Sequence, residues 1–189
     1  MLTALRKIHK SKDQTPDELE TQIAQAIFDL EVNNKDLKAE LQPLTFSSAK
    51  EVKVGKDKSA IIVFVPVRQI QAWKKVQGRL VRELEKKFSG KTILMVGQRK
   101  ALSKPTSNKV HRPRARNLAE VQERLMEDVA HPVEIVGRRT RFRTDGGQHI
   151  RIFLDSKEKN NFESKLHTLS VVYRMLTGKR VTYEFQPTA

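Results

Sequence analysis

The sequence contains no cysteine in its 189 residues. This absence excludes disulfide scaffolds, thiol catalysis and thiolate metal sites, and it fits a reducing compartment. Aromatic residues are also scarce, at 6%, which argues against a surface that recognises nucleic acid mainly by stacking its bases. The longest apolar run, Ala60 to Val65, is far shorter than the ~20 residues that cross a bilayer. Because the first residues also lack the apolar stretch of a secretory signal, we expect a soluble protein that does not enter a membrane.

Acidic residues are in the minority. The chain has 37 Lys plus Arg against 22 Asp plus Glu, which gives a formal net charge of +15. A surplus of this size favours a polyanionic partner such as nucleic acid. The hydrophobic fraction of 38% and the length are sufficient for one ample domain or two small ones with a real core.

The N-terminal part of the chain predicts a basic tail over residues 1–14 and an α/β half over residues 15–97. In Thr15-Pro16-Asp17-Glu18 the hydroxyl, the proline and the carboxylate have the spacing of a capping box, which predicts that a helix begins there. The strand at 60–65 is expected to be central because it is apolar throughout. The strand after the next helix should run parallel to it. The expected elements are a helix over 16–41 with a weak point at Asn33-Asn34, a hairpin over 44–54 and 60–65, a helix over 70–88 and a strand over 92–96.

Residues 117–189 predict a second α/β half of the same order. IIVFV at 61–65 matches IRIFL at 150–154, and FSGK at 88–91 matches LTGK at 176–179, at offsets of 89 and 88 residues. Two explanations remain open: an internal duplication, or the small set of residue types that strand ends and helix caps commonly use. The predicted class is α+β, with mixed sheets in two halves joined by a basic extended arm. The expected elements are a helix from Asn117 to Pro132, a hairpin over 133–144 and 148–154, a helix capped by Asp155 that carries 162–176, and a strand over 180–185.

The segment between the halves, residues 98–116, is termed the basic arm. It has two prolines and no acid, so the free segment repels itself. A polyanion relieves that repulsion, because each phosphate that is neutralised releases condensed counterions. The alternative is a solvated linker, although linkers seldom exclude acids so completely. The candidate RNA-binding residues of the arm are Arg99, Lys100, Lys104, Lys109, Arg112, Arg114 and Arg116.

A second candidate site lies on the predicted hairpin around Asp145-Gly146-Gly147. A turn at these residues places Phe142 opposite Ile150, so that Phe142, Ile150 and Ile152 share one face. It also places Arg141 across from Arg151. Like charges directly opposite each other destabilise a sheet, so this arrangement suggests an external anion, and the arginine fork suits phosphate. A basic face kept only for solubility is the alternative. The candidates on the second face are Arg141, Arg143, His149 and Arg151, and Arg138 and Arg139 extend the patch.

Signals of an enzyme are weak. Gly90-Lys91-Thr92 resembles the end of a phosphate-binding loop, but Glu85 stands where the first glycine is required, and the segment leaves a helix instead of entering one. The five histidines show no metal-ligand spacing. Glu127-Asp128 is expected at a solvated helix end, and Trp73 is expected in the core. We therefore predict no catalytic residue, no metal, no cofactor and no small-molecule substrate.

A family resemblance rests on five segments that occur in order along the chain: IIVFVPV (61–67), LVRELEKKFSGK (80–91), RPRAR (112–116), EIVGRR (134–139) and LTGK (176–179). Together they resemble the eukaryote-specific small-subunit ribosomal protein family seven. The resemblance implies a structural, non-enzymatic protein of the cytoplasmic ribosome that binds small-subunit rRNA. It also implies neighbouring ribosomal proteins as partners, and a nucleolar stage with assembly factors of the small-subunit processome, in which the rRNA precursor is processed. The family residues carried over are Arg112, Arg114, Arg116, Arg138 and Arg139.

Two rival functions remain at this stage. A free architectural nucleic-acid-binding protein or RNA chaperone shares the charge but binds RNA outside ribosomal particles. An enzyme that acts on nucleic acid requires turnover in the absence of the ribosome.

Overall fold

The structure is a computed structural model that describes residues 4–10, 15–55, 58–107 and 111–186. By packing, the chain forms two units, one up to Gln98 and one from Arg99 onward. Each contains helices and one three-stranded mixed sheet, which confirms the predicted α+β class. The helices are α1 (Glu18–Asn33), α2 (Lys35–Leu41), α3 (Ile70–Lys87), α4 (Leu118–Ala130), α5 (Lys159–Phe162) and α6 (Leu166–Thr177), and the strands are β1 (Ser48–Lys53), β2 (Ser59–Pro66), β3 (Lys91–Gln98), β4 (Ile135–Phe142), β5 (Gln148–Leu154) and β6 (Arg180–Phe185).

The first unit has the strand order β1-β2-β3. Strand β2 is central, pairing with β1 antiparallel and with β3 parallel, as the sequence predicts. Side chains alternate between the faces of a strand. Ile61 and Val63 pack with the apolar residues of α1, α2 and α3 in one core, whereas Ile62 and Leu94, on the opposite face, are also buried. Strands β2 and β3 are therefore buried on both faces of the sheet.

The first predicted helix is two helices. Asn34 has an extended conformation, with φ −108° and ψ 106°, and it separates α1 from α2. Asparagine favours such a break because its side chain competes for backbone hydrogen bonds. The cap also differs from the prediction: Asp17, not Thr15, precedes the first turn. The backbone N–H of Asp17 donates to the Glu20 carboxylate at 2.9 Å, so the capping box lies two residues later than predicted.

Residues 4–10, where the sequence predicts a basic tail, pack against the rest of the first unit. Lys7 is buried, and its Nζ donates to the Leu41 carbonyl at 2.7 Å and pairs with Glu31 at 2.5 Å. Ile8 forms a parallel bridge with Phe46. These contacts bury the ammonium group of Lys7 and pair it with Glu31 within the first unit.

The second unit repeats the topology of the first. Its order is β4-β5-β6, with an antiparallel pair followed by a parallel pair. The final helix is shorter than predicted because 3-10 turns at Ser156–Glu158 and Glu163–Lys165 interrupt it. Gly178 ends α6 with a positive φ of 74°, the left-handed conformation that glycine adopts most readily. Both units thus have the order helix, hairpin, helix and parallel strand.

Candidate nucleic-acid interface

The register of the β4–β5 hairpin differs from the prediction by two residues. Phe142 pairs with Gln148, not with Ile150, and Arg151 lies opposite Arg139, not opposite Arg141. The reason lies in the loop. Gly146 has a φ of +76°, and the Arg143 N–H donates to the Gly147 carbonyl at 2.9 Å. A three-residue loop that ends on a left-handed glycine therefore closes the hairpin one residue earlier than predicted.

The predicted division into two faces survives, because a shift of two residues leaves every side chain on its own face. Ile150 and Ile152 are buried. Phe142 shares their face but is 69% exposed, since it lies near the hairpin tip. The other face carries three rows of residues across β4, β5 and β6. In order from the tip, the rows are Arg141, His149 and Arg180; Arg139, Arg151 and Thr182; and Gly137, Phe153 and Glu184.

The basic residues of the first two rows, together with Arg143 at the hairpin tip, form the basic sheet face, which we define as Arg139, Arg141, Arg143, His149, Arg151 and Arg180. Its arginines are exposed. Glu184, at the far end, contacts Arg151 at 3.8 Å, and Arg139 lies 5.9 Å from the centre of the Phe153 ring. Within the described ranges, Arg141, Arg143 and Arg180 have no ion-pair partner. The face is thus a positive surface whose charge is only partly compensated within the fold.

Arg138 does not belong to this face. Adjacent residues of a strand point to opposite sides of the sheet, and Arg138 pairs in register with the buried Ile152. Its guanidinium contacts the carboxylate of Glu123, on α4, at 3.2 Å. The predicted Arg138-Arg139 patch is therefore divided between two faces.

A groove lies at the tip of the basic sheet face. It has a volume of about 700 Å³. The His149 ring, which lines it, is 3.0 Å from the Thr182 hydroxyl. The candidates predicted from the sequence do not include Lys179 and Arg180, which also line the groove. Because the two halves match in sequence and β3 is parallel to β2, pairing β6 with β5 in the same way would have placed Arg180 beside His149. The groove is lined by Arg143, Asp145, Gly147, Gln148, His149, Gly178, Lys179 and Arg180.

The described residues of the basic arm form a loop whose ends are held together. The Leu102 N–H donates to the Arg116 carbonyl at 3.0 Å, and the Arg112 guanidinium donates to the Leu102 carbonyl at 2.8 Å. Lys109 lies outside the described residues. The remaining cations of the loop are exposed: Lys100, Lys104, Arg114 and Arg116.

Arg99 is occupied within the fold. Its guanidinium forms an ion pair with Asp128 of α4, and the side chains are 10% and 1% exposed. The expectation that Glu127-Asp128 is a solvated helix end holds for Glu127, which is exposed, and is wrong for Asp128. The helix turns the second carboxylate inward, where a buried charge requires a partner.

The residues that weakly suggested other chemistry have ordinary structural positions. Trp73 is 1% exposed, as predicted for a core residue, and its indole N–H donates to the Thr45 carbonyl at 3.3 Å. Gly90 lies between α3 and β3, so the segment does leave a helix. In the described part of the chain, no cluster of three metal-ligating side chains occurs. Across those same ranges, no helix combines the length and apolarity needed to span a membrane.

Comparison with known proteins identifies the family. The model of the family described as Ribosomal protein S7e matches residues 7–185. The chain belongs to the S7e family of ribosomal proteins. It is 46% identical to the small ribosomal subunit protein eS7 of Avicennia marina over 98% of both chains. It is 47% identical to eS7z of Arabidopsis thaliana, over 98% of this chain and 97% of the relative. For eS7 of Schizosaccharomyces pombe the identity is 46%, over 97% of this chain and 96% of the relative.

The family resemblance drawn from the five sequence segments is therefore confirmed, and membership makes the chain a ribosomal protein of the small-subunit type. The matches extend along nearly the whole chain and include both units and the basic arm.

Proposed function

We propose that this protein is a structural constituent of the small ribosomal subunit that binds and positions its rRNA through the basic sheet face and the exposed cations of the basic arm. The proposal includes a role in subunit assembly and processing of the rRNA precursor, with a nucleolar stage and assembly factors as partners. It includes no catalytic step.

The basic sheet face carries the proposal. Arg139 and Arg151 lie directly opposite each other, and His149 stands between Arg141 and Arg180 in the adjacent row. Like-charged neighbours in a sheet weaken the fold, so folding alone does not account for them. Their guanidinium groups match the geometry of phosphate oxygens. Contacts of this kind position RNA without reading its bases.

The basic arm supplies a second set of cations. Arg114 and Arg116 lie in an exposed 3-10 turn that directly follows Pro113. Their backbone is held by the hydrogen bond between Leu102 and Arg116, so little backbone freedom is lost when these side chains bind. Arg99 is not included in the proposed interface because Asp128 already neutralises it.

The test is RNA binding by the full chain, measured with a transcript of small-subunit rRNA at several salt concentrations. Replacing Arg141, Arg151 and Arg180 by Gln removes up to three phosphate contacts, so the slope of log affinity against log salt should fall by about three. The matched control removes the same charge from exposed positions elsewhere in the second unit, by Lys157→Gln, Lys159→Gln and Arg174→Gln. Equal slopes for the wild type and the sheet-face variant would overturn the proposed site.

Sedimentation separates this proposal from the RNA-chaperone alternative. In low salt, the wild-type protein should travel with small subunits, and the sheet-face variant should shift toward the free fraction. Wild-type protein that binds RNA but stays outside the particles would favour the chaperone. RNA that is cleaved or modified with turnover by the purified chain would instead favour an enzyme.

A further inference from the structure

Helix α3 carries a basic stripe on its exposed side. Lys75, Arg79, Arg82 and Lys86 follow one another at intervals of four, three and four residues. At about 100° per residue, these intervals place all four side chains within an arc of about 60° and along about 17 Å of the helix. All four residues are exposed.

The opposite side of α3 packs into the hydrophobic core. Trp73, Leu80 and Leu84 are 0–1% exposed and belong to the core of the first unit. The basic stripe therefore makes no contribution to that core, and its exposed side chains are available to bind a ligand.

The acids of the same helix leave most of this charge uncompensated. Glu83 pairs with Lys86 at 2.7 Å, and the Glu85 carboxylate lies 3.5 Å from the Ile93 N–H. Lys75, Arg79 and Arg82 have no ion pair among the residues that the structure describes. Three successive cations of the stripe thus face solvent.

Gly78 is an independent observation at the edge of the stripe. A glycine inside a helix costs roughly 0.5–1 kcal/mol relative to alanine. Close packing is one reason for a glycine at such a position, yet, apart from its chain neighbours and the nearby backbone of α3 itself, no atom lies within 4 Å of the position that a Cβ would occupy. The residue is exposed. Packing within the described fold therefore does not explain this glycine, and its bare backbone leaves room for a partner to approach closely.

We propose that the stripe of α3, with Gly78, is a second RNA-binding surface that takes the sugar–phosphate backbone of rRNA. The three cations without an ion pair, Lys75, Arg79 and Arg82, hold consecutive phosphates along the helix, and the missing side chain at residue 78 lets the RNA backbone lie close to α3. The identity of the ligand rests on the proposed function, but the site lies in the other unit and uses none of the residues of the basic sheet face.

The first experiment measures the salt dependence of binding for the full chain and a small-subunit rRNA transcript. The variant Lys75→Gln, Arg79→Gln and Arg82→Gln should keep the helical content and lower the salt slope by about three. The matched control, Lys50→Gln, Lys53→Gln and Lys58→Gln, removes the same charge from exposed positions on β1 and the turn that follows it, and should retain most of the wild-type slope. A slope for the α3 variant no lower than that of this control would overturn the inference.

The second experiment uses Gly78. Gly78→Ala should raise the melting temperature of the free protein, because alanine is the better helix former. Gly78→Met should keep the fold but weaken RNA binding, because its side chain fills the space left for the sugar–phosphate backbone. Unchanged RNA affinity in the methionine variant would contradict the close approach.

The sheet-face variant makes the outcomes separable. If it lowers the salt slope and the α3 variant does not, the inference fails and the proposed function stands. If neither changes the slope, both fail.

Discussion

At the scale of single residues, each unit contains a buried carboxylate that is paired with a cation of the same unit. In the second unit, Arg99 reaches from the start of the basic arm to Asp128 on α4. The pair fixes the arm to the helix that follows it. Removing one partner of a buried ion pair is costly because the other charge stays in the interior without compensation.

We expect Asp128→Asn to lower the free energy of unfolding by about 3 kcal/mol. The adjacent exposed residue provides the control, since Glu127→Gln removes the same charge from the surface and should change stability by less than about 0.5 kcal/mol. Urea denaturation of the three proteins checks this. Equal losses in the two variants would show that the ion pair contributes nothing to the fold.

In the first unit, Glu20 is the corresponding buried carboxylate. It is 2% exposed and pairs with Lys10 at 2.5 Å, and it accepts from the backbone N–H groups of Asp17 and Ala49. Burial raises the pKa of Glu20, but the hydrogen bonds from Lys10, Asp17 and Ala49 together outweigh it, so the pKa lies below the ordinary 4.5. The unfolded chain therefore binds more protons than the folded chain as the pH falls.

The contribution of Glu20 to stability is complete above its unfolded pKa and is lost as the pH falls through the lower folded value. We expect Glu20→Gln to destabilise the protein at neutral pH by about 1–3 kcal/mol and to reduce the loss of stability on acidification. Urea titrations at neutral pH and well below 4.5 measure both effects. The control is Glu18→Gln, at an exposed carboxylate of the same helix. A Glu20 variant that loses as much stability on acidification as the wild type would contradict the assignment.

At the scale of elements, the hairpin loop sets the pairing of the arginines. Gly146 adopts a left-handed φ of +76°, whereas Gly147 is outside that region. We expect Gly146→Ala to cost about 1–2 kcal/mol of stability, because a Cβ is strained at positive φ. Gly147→Ala is the control, since its Cβ would meet only the Arg143 side chain, at 4.0 Å. Thermal unfolding compares the two, and equal melting temperatures would argue against this loop geometry.

The sequence predicts elements and faces better than it predicts registers and breaks. Alternation in β5 separates Ile150 and Ile152 from His149 and Arg151 whichever residues pair. The register depends on which glycine takes the positive φ, and Gly146 and Gly147 are indistinguishable in the sequence. The sequence marks Asn33-Asn34 as a weak point of the first helix, but local propensity alone does not decide whether the helix breaks there, as it does at Asn34.

The burial of Asp128 was not predictable from the sequence, because Arg99 is 29 residues away along the chain. Only the folded arm brings the two charges together. Arg180 could have been predicted, since the matched segments of the two halves imply that β6 pairs with β5 as β3 pairs with β2.

At the scale of the whole molecule, the two units share one topology but differ in the face of the sheet that lies opposite their helices. In the first unit, the side chains of the continuous apolar run in β2 are buried on both faces of the sheet. In the second, β5 alternates apolar and basic residues, so one face is left to the arginines. The two units thus share a framework, and the basic side chains on β4, β5 and β6 form the proposed RNA surface of the second unit.

The most direct test is a density map of the small ribosomal subunit that contains this protein. The proposed function predicts guanidinium groups of Arg141, Arg151 and Arg180 within hydrogen-bond distance of phosphate oxygens of the rRNA. A map in which these side chains contact only solvent or other proteins would contradict it.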